Sequence, residues 1–224
     1  MPTPAPPLWF RLPPGYHSLD ALDLPLIERS ASPVLTPLLE GTGLLGPALR
    51  DTRTLTNLLA AMWTSETAHM SIGVHPDGEH GASVSLFSLS MAGIASRTAG
   101  LAVAQCALAQ MNSPLWSEST GRLLTLSSGL PAALVAGTLV SPPDESLEEL
   151  GITADFEGVF QARLTIPCPT GEHIAVADLT SAAVRNSEAY TSILEGIGQT
   201  MSFSEPVETP EPAPRPTSRI RDLF

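Results

Sequence analysis

The sequence predicts an α+β fold: a single, mostly antiparallel sheet packed by helices, α/β/α sandwich-like, followed by a disordered C-terminal tail. Three observations predict it. Apolar and polar residues alternate at period two around turns only a few residues long, and turns that short join antiparallel strands, not parallel ones. Elsewhere apolar residues recur at i, i+3, i+4 and i+7, the mark of a helix with one buried face. The chain has 224 residues, 43% of them hydrophobic and 15% charged, which is enough for one domain with a substantial core.

The elements follow in order. Residues 1–7 are a Pro-rich extension. The folded part spans residues 8–203 and opens with a short strand, Trp9-Phe10-Arg11-Leu12, turned by Pro13-Pro14-Gly15. Pro33, Pro37 and Gly41 keep any helix over 32–48 short. Leu55, Leu58, Leu59 and Met62 form a helical stripe. Met70, Ile72 and Val74 alternate with His69, Ser71, Gly73 and His75 in a half-buried strand, and the loop Pro76–Gly81 turns it back. In the returning strand the apolar phase slips between Leu86 and Phe87, which predicts a β-bulge. Residues 97–112 read as a buried helix, apolar nearly all round (Leu101, Val103, Cys106, Leu108, Met111). Strands follow over Leu123–Ser127 and Ala132–Val140, then an acidic helix opened by Pro142-Pro143. Phe160, Ala162, Leu164 and Ile166 alternate with polar residues, turn at Pro167–Gly171, and return as Ile174–Val176. Tyr190, Ile193, Leu194 and Ile197 make a second helical stripe, with Asn186 or Ser187 as its N-cap. Met201-Ser202-Phe203 reads as a last edge strand. Residues 204–224 form the tail, rich in Pro and Glu, and cannot bury enough to fold alone.

Composition excludes several functions. With 11 Arg, no Lys and 23 acidic residues, the formal charge is −12, the opposite of the basic footprint that nucleic-acid binding needs. The longest apolar runs are about a dozen residues against the ~20 of a bilayer span, so no membrane insertion is expected. The N-terminus has neither a basic n-region nor an apolar h-region, and a cytoplasmic location is expected. Cys106 and Cys168 read as free buried thiols, although a turn between two prolines favours exposure of Cys168.

The opening Phe10-Arg11-Leu12-Pro13-Pro14-Gly15-Tyr16 resembles the strand and Pro-Gly-aromatic start of PsbP-like and LpqN-like α/β/α sandwich domains. The closing Val176-Ala177-Asp178-Leu179-Thr180, the helix over Tyr190–Thr200 and Met201-Ser202-Phe203 resemble the way those domains end. The chain also resembles cytosolic proteins of filamentous actinobacteria. The resemblance implies a non-catalytic binding or accessory role and carries over no site residue.

No constellation for catalysis stands out. His69 and His75 are six strand residues apart, about 20 Å, too far to share a metal ion. His75 and His80 flank a loop holding Asp77 and Glu79, but no four-ligand set emerges, and no metal or cofactor is expected. There is no G-x-S-x-G elbow and, without lysine, no P-loop. Gly196-Ile197-Gly198 fits a frayed helix end. Tyr16-His17-Ser18-Leu19-Asp20 matches the Y-x-x-x-[DE] pattern of type VII secretion substrates, but follows a Pro-Gly turn instead of a helical hairpin.

Two features suggest a protein partner. Asp144, Glu145, Glu148 and Glu149 lie opposite Leu147 and Leu150 on a predicted helix, a solvated acidic face or a docking patch for a basic partner. After the Pro/Glu linker, Arg219, Ile220, Arg221, Leu223 and Phe224 form an apolar-basic motif that spacing reads as one helical turn, suited to docking in a groove or folding back on the acidic body. The expected function is therefore that of a non-enzymatic interaction or accessory protein: one rigid domain with a tethered docking peptide. Two alternatives remain open here: a small-molecule-binding domain or motif-less enzyme with Trp63, Trp116, Met111 and Phe87 around an apolar pocket, and an accessory chaperone of a type VII-like secretion system.

Overall fold

The computed structural model describes residues 5–19, 66–77, 82–94, 98–114, 116–139 and 158–205. Within them, seven strands form one sheet: β1 (Tyr16–Ser18), β2 (Thr67–Pro76), β3 (Ala82–Gly93), β4 (Trp116–Thr125), β5 (Pro131–Leu139), β6 (Val159–Pro167) and β7 (His173–Ser181). The sheet order is β1-β2-β3-β7-β6-β5-β4, and every neighbouring pair is antiparallel. Helix α1 (Ala99–Met111) and helix α2 (Ser187–Gln199), the latter entered through a 3-10 turn (Val184–Asn186), complete the described elements.

The two helices cover opposite faces, as strand periodicity shows. On β5, Ala132, Leu134 and Ala136 join the core that holds Tyr190, Leu194 and Ile197 of α2, whereas Ala133 packs with Val103 of α1. On β6, Phe160, Ala162, Leu164 and Ile166 take the α2 side. On β7, Ala175, Ala177 and Leu179 do the same, while Ile174 and Val176 turn to α1. The predicted α/β/α layering and the antiparallel pairing are therefore what the residues build.

Alternation explains the departures. Ser83, Ser85, Phe87 and Leu89 of β3 are buried in unbroken alternation and pair continuously with β2. The predicted slip at Leu86–Phe87 is not a bulge. Val84 and Leu86 belong to the other face, where Val84 is exposed and Leu86 half-buried, so apolar residues on both faces mimic a slip. The irregularity lies in β2 instead, where Thr67 pairs with Ser90 and His69 with Leu89, leaving Ala68 extra. A second bulge sits in β4 between Ser117 and Thr120, with Glu118 at φ 51°. Strand β4 begins at Trp116, well before the predicted Leu123, because an edge strand needs few apolar residues to pair.

Three further expectations change, and one is qualified. Trp9–Leu12 is not a strand; Trp9 makes one bridge to Ser202, Trp9 N donating to Ser202 O at 2.9 Å and Ser202 N to Trp9 O at 3.0 Å. That bridge is also all that remains of the predicted last strand at Met201–Phe203. Helix α1 is not buried all round: Val103 is buried, but Leu101 is 54% and Leu108 58% exposed. Asn186 is the N-cap residue of α2, yet its side chain makes no capping bond and donates to Asp77 Oδ1 at 2.8 Å. The predicted helices over 55–62 and 144–150 lie outside the described residues, as does the tail from residue 206.

Gly196 and Gly198 separate cleanly. A Cβ on Gly198 would sit 2.4 Å from Leu164 Cδ2, whereas one on Gly196 would meet nothing within 4 Å. Gly198 thus lets α2 press onto β6 and is no frayed end. In chemical denaturation, Gly196→Ala should raise stability by up to about 1 kcal/mol through helix propensity. Gly198→Ala should lower it by about 1 kcal/mol, because overpacking of ~1–3 kcal/mol exceeds that gain.

Candidate functional site

His69 and His75 face the core, not solvent. Both lie on the α2 side of β2, and His69 stacks edge-on with Phe10, ring centroids 5.1 Å apart. His75 lies edge-on to Tyr16 and to Tyr190, at 5.3 and 5.6 Å. Ser85 Oγ is 2.9 Å from His75 Nε2 and 2.9 Å from Tyr16 OH, and Tyr190 OH donates to Ser83 Oγ at 2.7 Å. Gly73 makes room for this cluster, since a Cβ there would meet His75 Nε2, Ser85 Oγ and the Tyr16 ring at 2.6–2.7 Å. Asp77 takes Arg185 and Asn186 from the start of α2. Together these bonds tie β1, β2 and β3 to α2.

Burial sets the protonation of the cluster. It pushes the Tyr16 phenol up to about 12 and holds His69 and His75 below their ordinary values. A Ser–His contact of 2.9 Å is the distance of a nucleophile and its base, but Ser85 is only 1% exposed. No substrate reaches it without the sheet end opening, and its hydroxyl is already held from both sides. The arrangement acts as a polar lock. Tyr16, the first residue of the secretion-like pattern, is consumed by this lock, and the pattern's Asp20 lies outside the described residues, as does His80.

The other candidates scatter. Phe87 sits in the α2-side core, while Met111 packs over Gly121 and Trp116 beside Gly137 on the α1 side, so these three line no common pocket; Trp63 lies outside the described residues. Cys168 is buried, not exposed, and burial pushes its thiol up to about 11. Cys106 is half-buried, and both thiols are free. The acidic residues Asp144, Glu145, Glu148 and Glu149, and the motif Arg219, Ile220, Arg221, Leu223 and Phe224, lie outside the described residues.

What the sequence reading missed is the β4 border of the sheet. The hairpin to β5 closes with Leu126 N donating to Leu130 O at 2.9 Å. Antiparallel bonding alternates from there, so Leu124, Arg122 and Thr120 bond to β5. Gly121, Leu123 and Thr125 point their N–H and C=O groups away from it. No described strand pairs with that side. Leu123 is 75% exposed. On the same α1 face Met111 packs over Gly121 and is itself exposed.

On the α2 face the same border opens into a cleft of about 660 Å³. Leu134, Ala136 and Phe160 form its floor, and Glu118, Thr120 and Glu188 line its walls. Arg122, also on the wall, is spanned by an ion pair to Glu195 of α2. The bulge that turns Glu118 into this cleft is the kind found at sheet edges near binding sites. The sequence signal was present but faint: Trp116–Thr125 carries only three large apolar residues among small polar ones.

No family model matches the chain, and no curated protein matches it. Among solved structures it is similar to LpqN of Mycobacterium tuberculosis, described as involved in cell envelope biogenesis. The two share 11% identity over 88% of this chain and 83% of LpqN, with a TM-score of 0.47. The comparison touches only the LpqN-like part of the sequence resemblance, and a likeness at this level transfers no role.

The lock predicts acid sensitivity. Unfolded histidine takes up its proton near pH 6.5, and folded His69 and His75 resist it to lower pH. Between pH 6.5 and 5 the unfolded state then binds more protons, and stability falls as pH drops. Denaturant unfolding of the full chain at pH 7, 6 and 5 should show this decline, and His69→Gln/His75→Gln should flatten it. An unchanged slope in the double variant would contradict the assignment.

Proposed function

We propose that this protein is a non-enzymatic, cytosolic interaction protein that binds an extended segment of a partner by adding it as a strand to β4. The carrying observation is the ten-residue edge strand whose outward backbone groups at Gly121, Leu123 and Thr125 pair with no described strand. Strand addition takes its affinity from such groups and its specificity from the pockets that receive alternate side chains. Those pockets differ here. One face offers Leu123 and Met111. The other offers the cleft, where Glu118 and Glu188 outnumber the cations, since Arg122 is paired with Glu195. A segment alternating basic and apolar residues fits both, and a chain of net charge −12 attracts it from a distance.

The opposite sheet border offers much less. Strand β1 has three residues and follows Pro13-Pro14, the kind of short, Pro-flanked edge that resists pairing. A small molecule in the 660 Å³ cleft is the second reading, supported by its apolar floor of Leu134, Ala136 and Phe160.

Fluorescence anisotropy with a labelled peptide alternating arginine and valine distinguishes them. Binding should weaken at high salt and fall at least tenfold in Leu123→Pro. That proline removes an outward N–H and no bond to β5, so the sheet tolerates it. Leu123→Lys, which keeps the N–H but places a cation on the edge, should weaken binding as well. Binding that ignores both substitutions would defeat the strand-addition reading.

A further inference from the structure

We propose that the segment Thr217–Phe224 of this same chain pairs with β4 as an added strand, so that the protein covers its own docking edge until a partner displaces the segment. The inference rests on the reading of β4 as a docking edge and names what regulates it.

Reach is the first support. Ser127 N and Ser127 Oγ both donate to Gln199 Oε1 at 2.8 Å, so the end of α2 is fastened to the end of β4. Glu205 is six residues beyond Gln199, at most about 20 Å of chain. The stretch 206–216, which contains Pro206, Pro210, Pro212, Pro214 and Pro216, adds roughly 3 Å per residue when extended. The tether therefore spans the whole edge, since ten strand residues measure about 33 Å. A tether of this length holds its end at an effective concentration near the millimolar range, enough to fill a weak site.

Backbone chemistry is the second support. Each of the five prolines over 206–216 lacks the N–H that a sheet ladder needs. After Pro216 no proline remains, and every residue from Thr217 to Phe224 can donate. The chain thus becomes competent to pair only in its last eight residues.

Side-chain chemistry is the third. In an extended conformation Arg219, Arg221 and Leu223 point to one side, and Ile220, Asp222 and Phe224 to the other; the arginine pair and the Ile220–Phe224 pair dominate their respective sides. The first pair matches the cleft carrying Glu118 and Glu188, and the second matches exposed Leu123 and Met111. A helical turn would instead gather Ile220, Leu223 and Phe224 on one face and leave the outward groups of Gly121, Leu123 and Thr125 unpaired. Charge also argues against a second copy as the occupant, because each copy brings a net charge of −12, whereas the segment is locally basic.

Amide hydrogen exchange on the full chain tests this, comparing the natural sequence with Arg219→Glu/Arg221→Glu. Gly121, Leu123 and Thr125 should exchange at least tenfold faster in the variant, while Leu124 and Leu134 stay unchanged. The labelled arginine–valine peptide should bind the variant at least fivefold more tightly. Ile220→Asp/Phe224→Asp should reproduce both effects from the apolar side. Equal exchange at the three amides in all three proteins would overturn the proposal. If the peptide then still bound with sensitivity to Leu123→Pro, the docking edge would stand and only its internal occupant would fall. Loss of that sensitivity would remove both.

Discussion

A seven-stranded sheet is wider than the helices that cover it. Strands spaced about 4.8 Å apart make a surface roughly 29 Å across, and one helix with its side chains shields only about 10 Å. Helix α2 settles over β5, β6 and β7, and α1 over β4 to β7 on the other face. Most of what is distinctive in the described structure answers this mismatch. The β1–β3 side of the α2 face is closed by Leu8, Phe10 and Leu12, held down through the Trp9–Ser202 bridge and the bond from Arg11 N to Thr200 Oγ1. It is also closed by the polar lock of Tyr16, His75, Ser83, Ser85 and Tyr190. The β4 border receives no such closure among the described residues.

Polar groups beneath the layers are matched in place. Arg163 and Asp178 sit directly opposite each other on β6 and β7 on the α1 side, Arg163 Nε donating to Asp178 Oδ1 at 2.5 Å and Nη2 to Oδ2 at 2.8 Å. A half-covered ion pair of this bidentate kind fixes register more than it adds stability. Among the described residues, Ser71 Oγ, His69 Nε2 and His173 Nδ1 are the buried exceptions without a partner. Ser71 and His69 share the α2 side of β2, beyond the strands that α2 covers.

How much of this was legible depended on one-sidedness. The β6–β7 hairpin and α2 were readable because each alternates or repeats around a single dominant buried face. Strand β3 misled because Leu86 and Phe87 point to opposite faces, and apolar residues on two faces look like one face with a slip. Helix α1 misled in the opposite direction: composition counts Leu101 and Leu108 as core, but packing places them in solvent. Cys168 was read from its prolines as a turn residue, and it is one, with its N–H bonded to His173 O at 2.9 Å. Burial of the β6–β7 end is a tertiary fact with no local signature. The β4 border was least legible of all. A border strand is defined by what does not pair with it, and no sequence period records that.

On the proposed function, β4 is the place where an extended basic-apolar segment joins the sheet. The most direct measurement is amide chemical-shift mapping of the full chain carrying Arg219→Glu/Arg221→Glu, titrated with the arginine–valine peptide. The account predicts that the largest shifts fall on Gly121, Leu123 and Thr125 and fade across β5. Shifts centred on the β1–β2 border, or spread evenly over the acidic surface with none on β4, would contradict it.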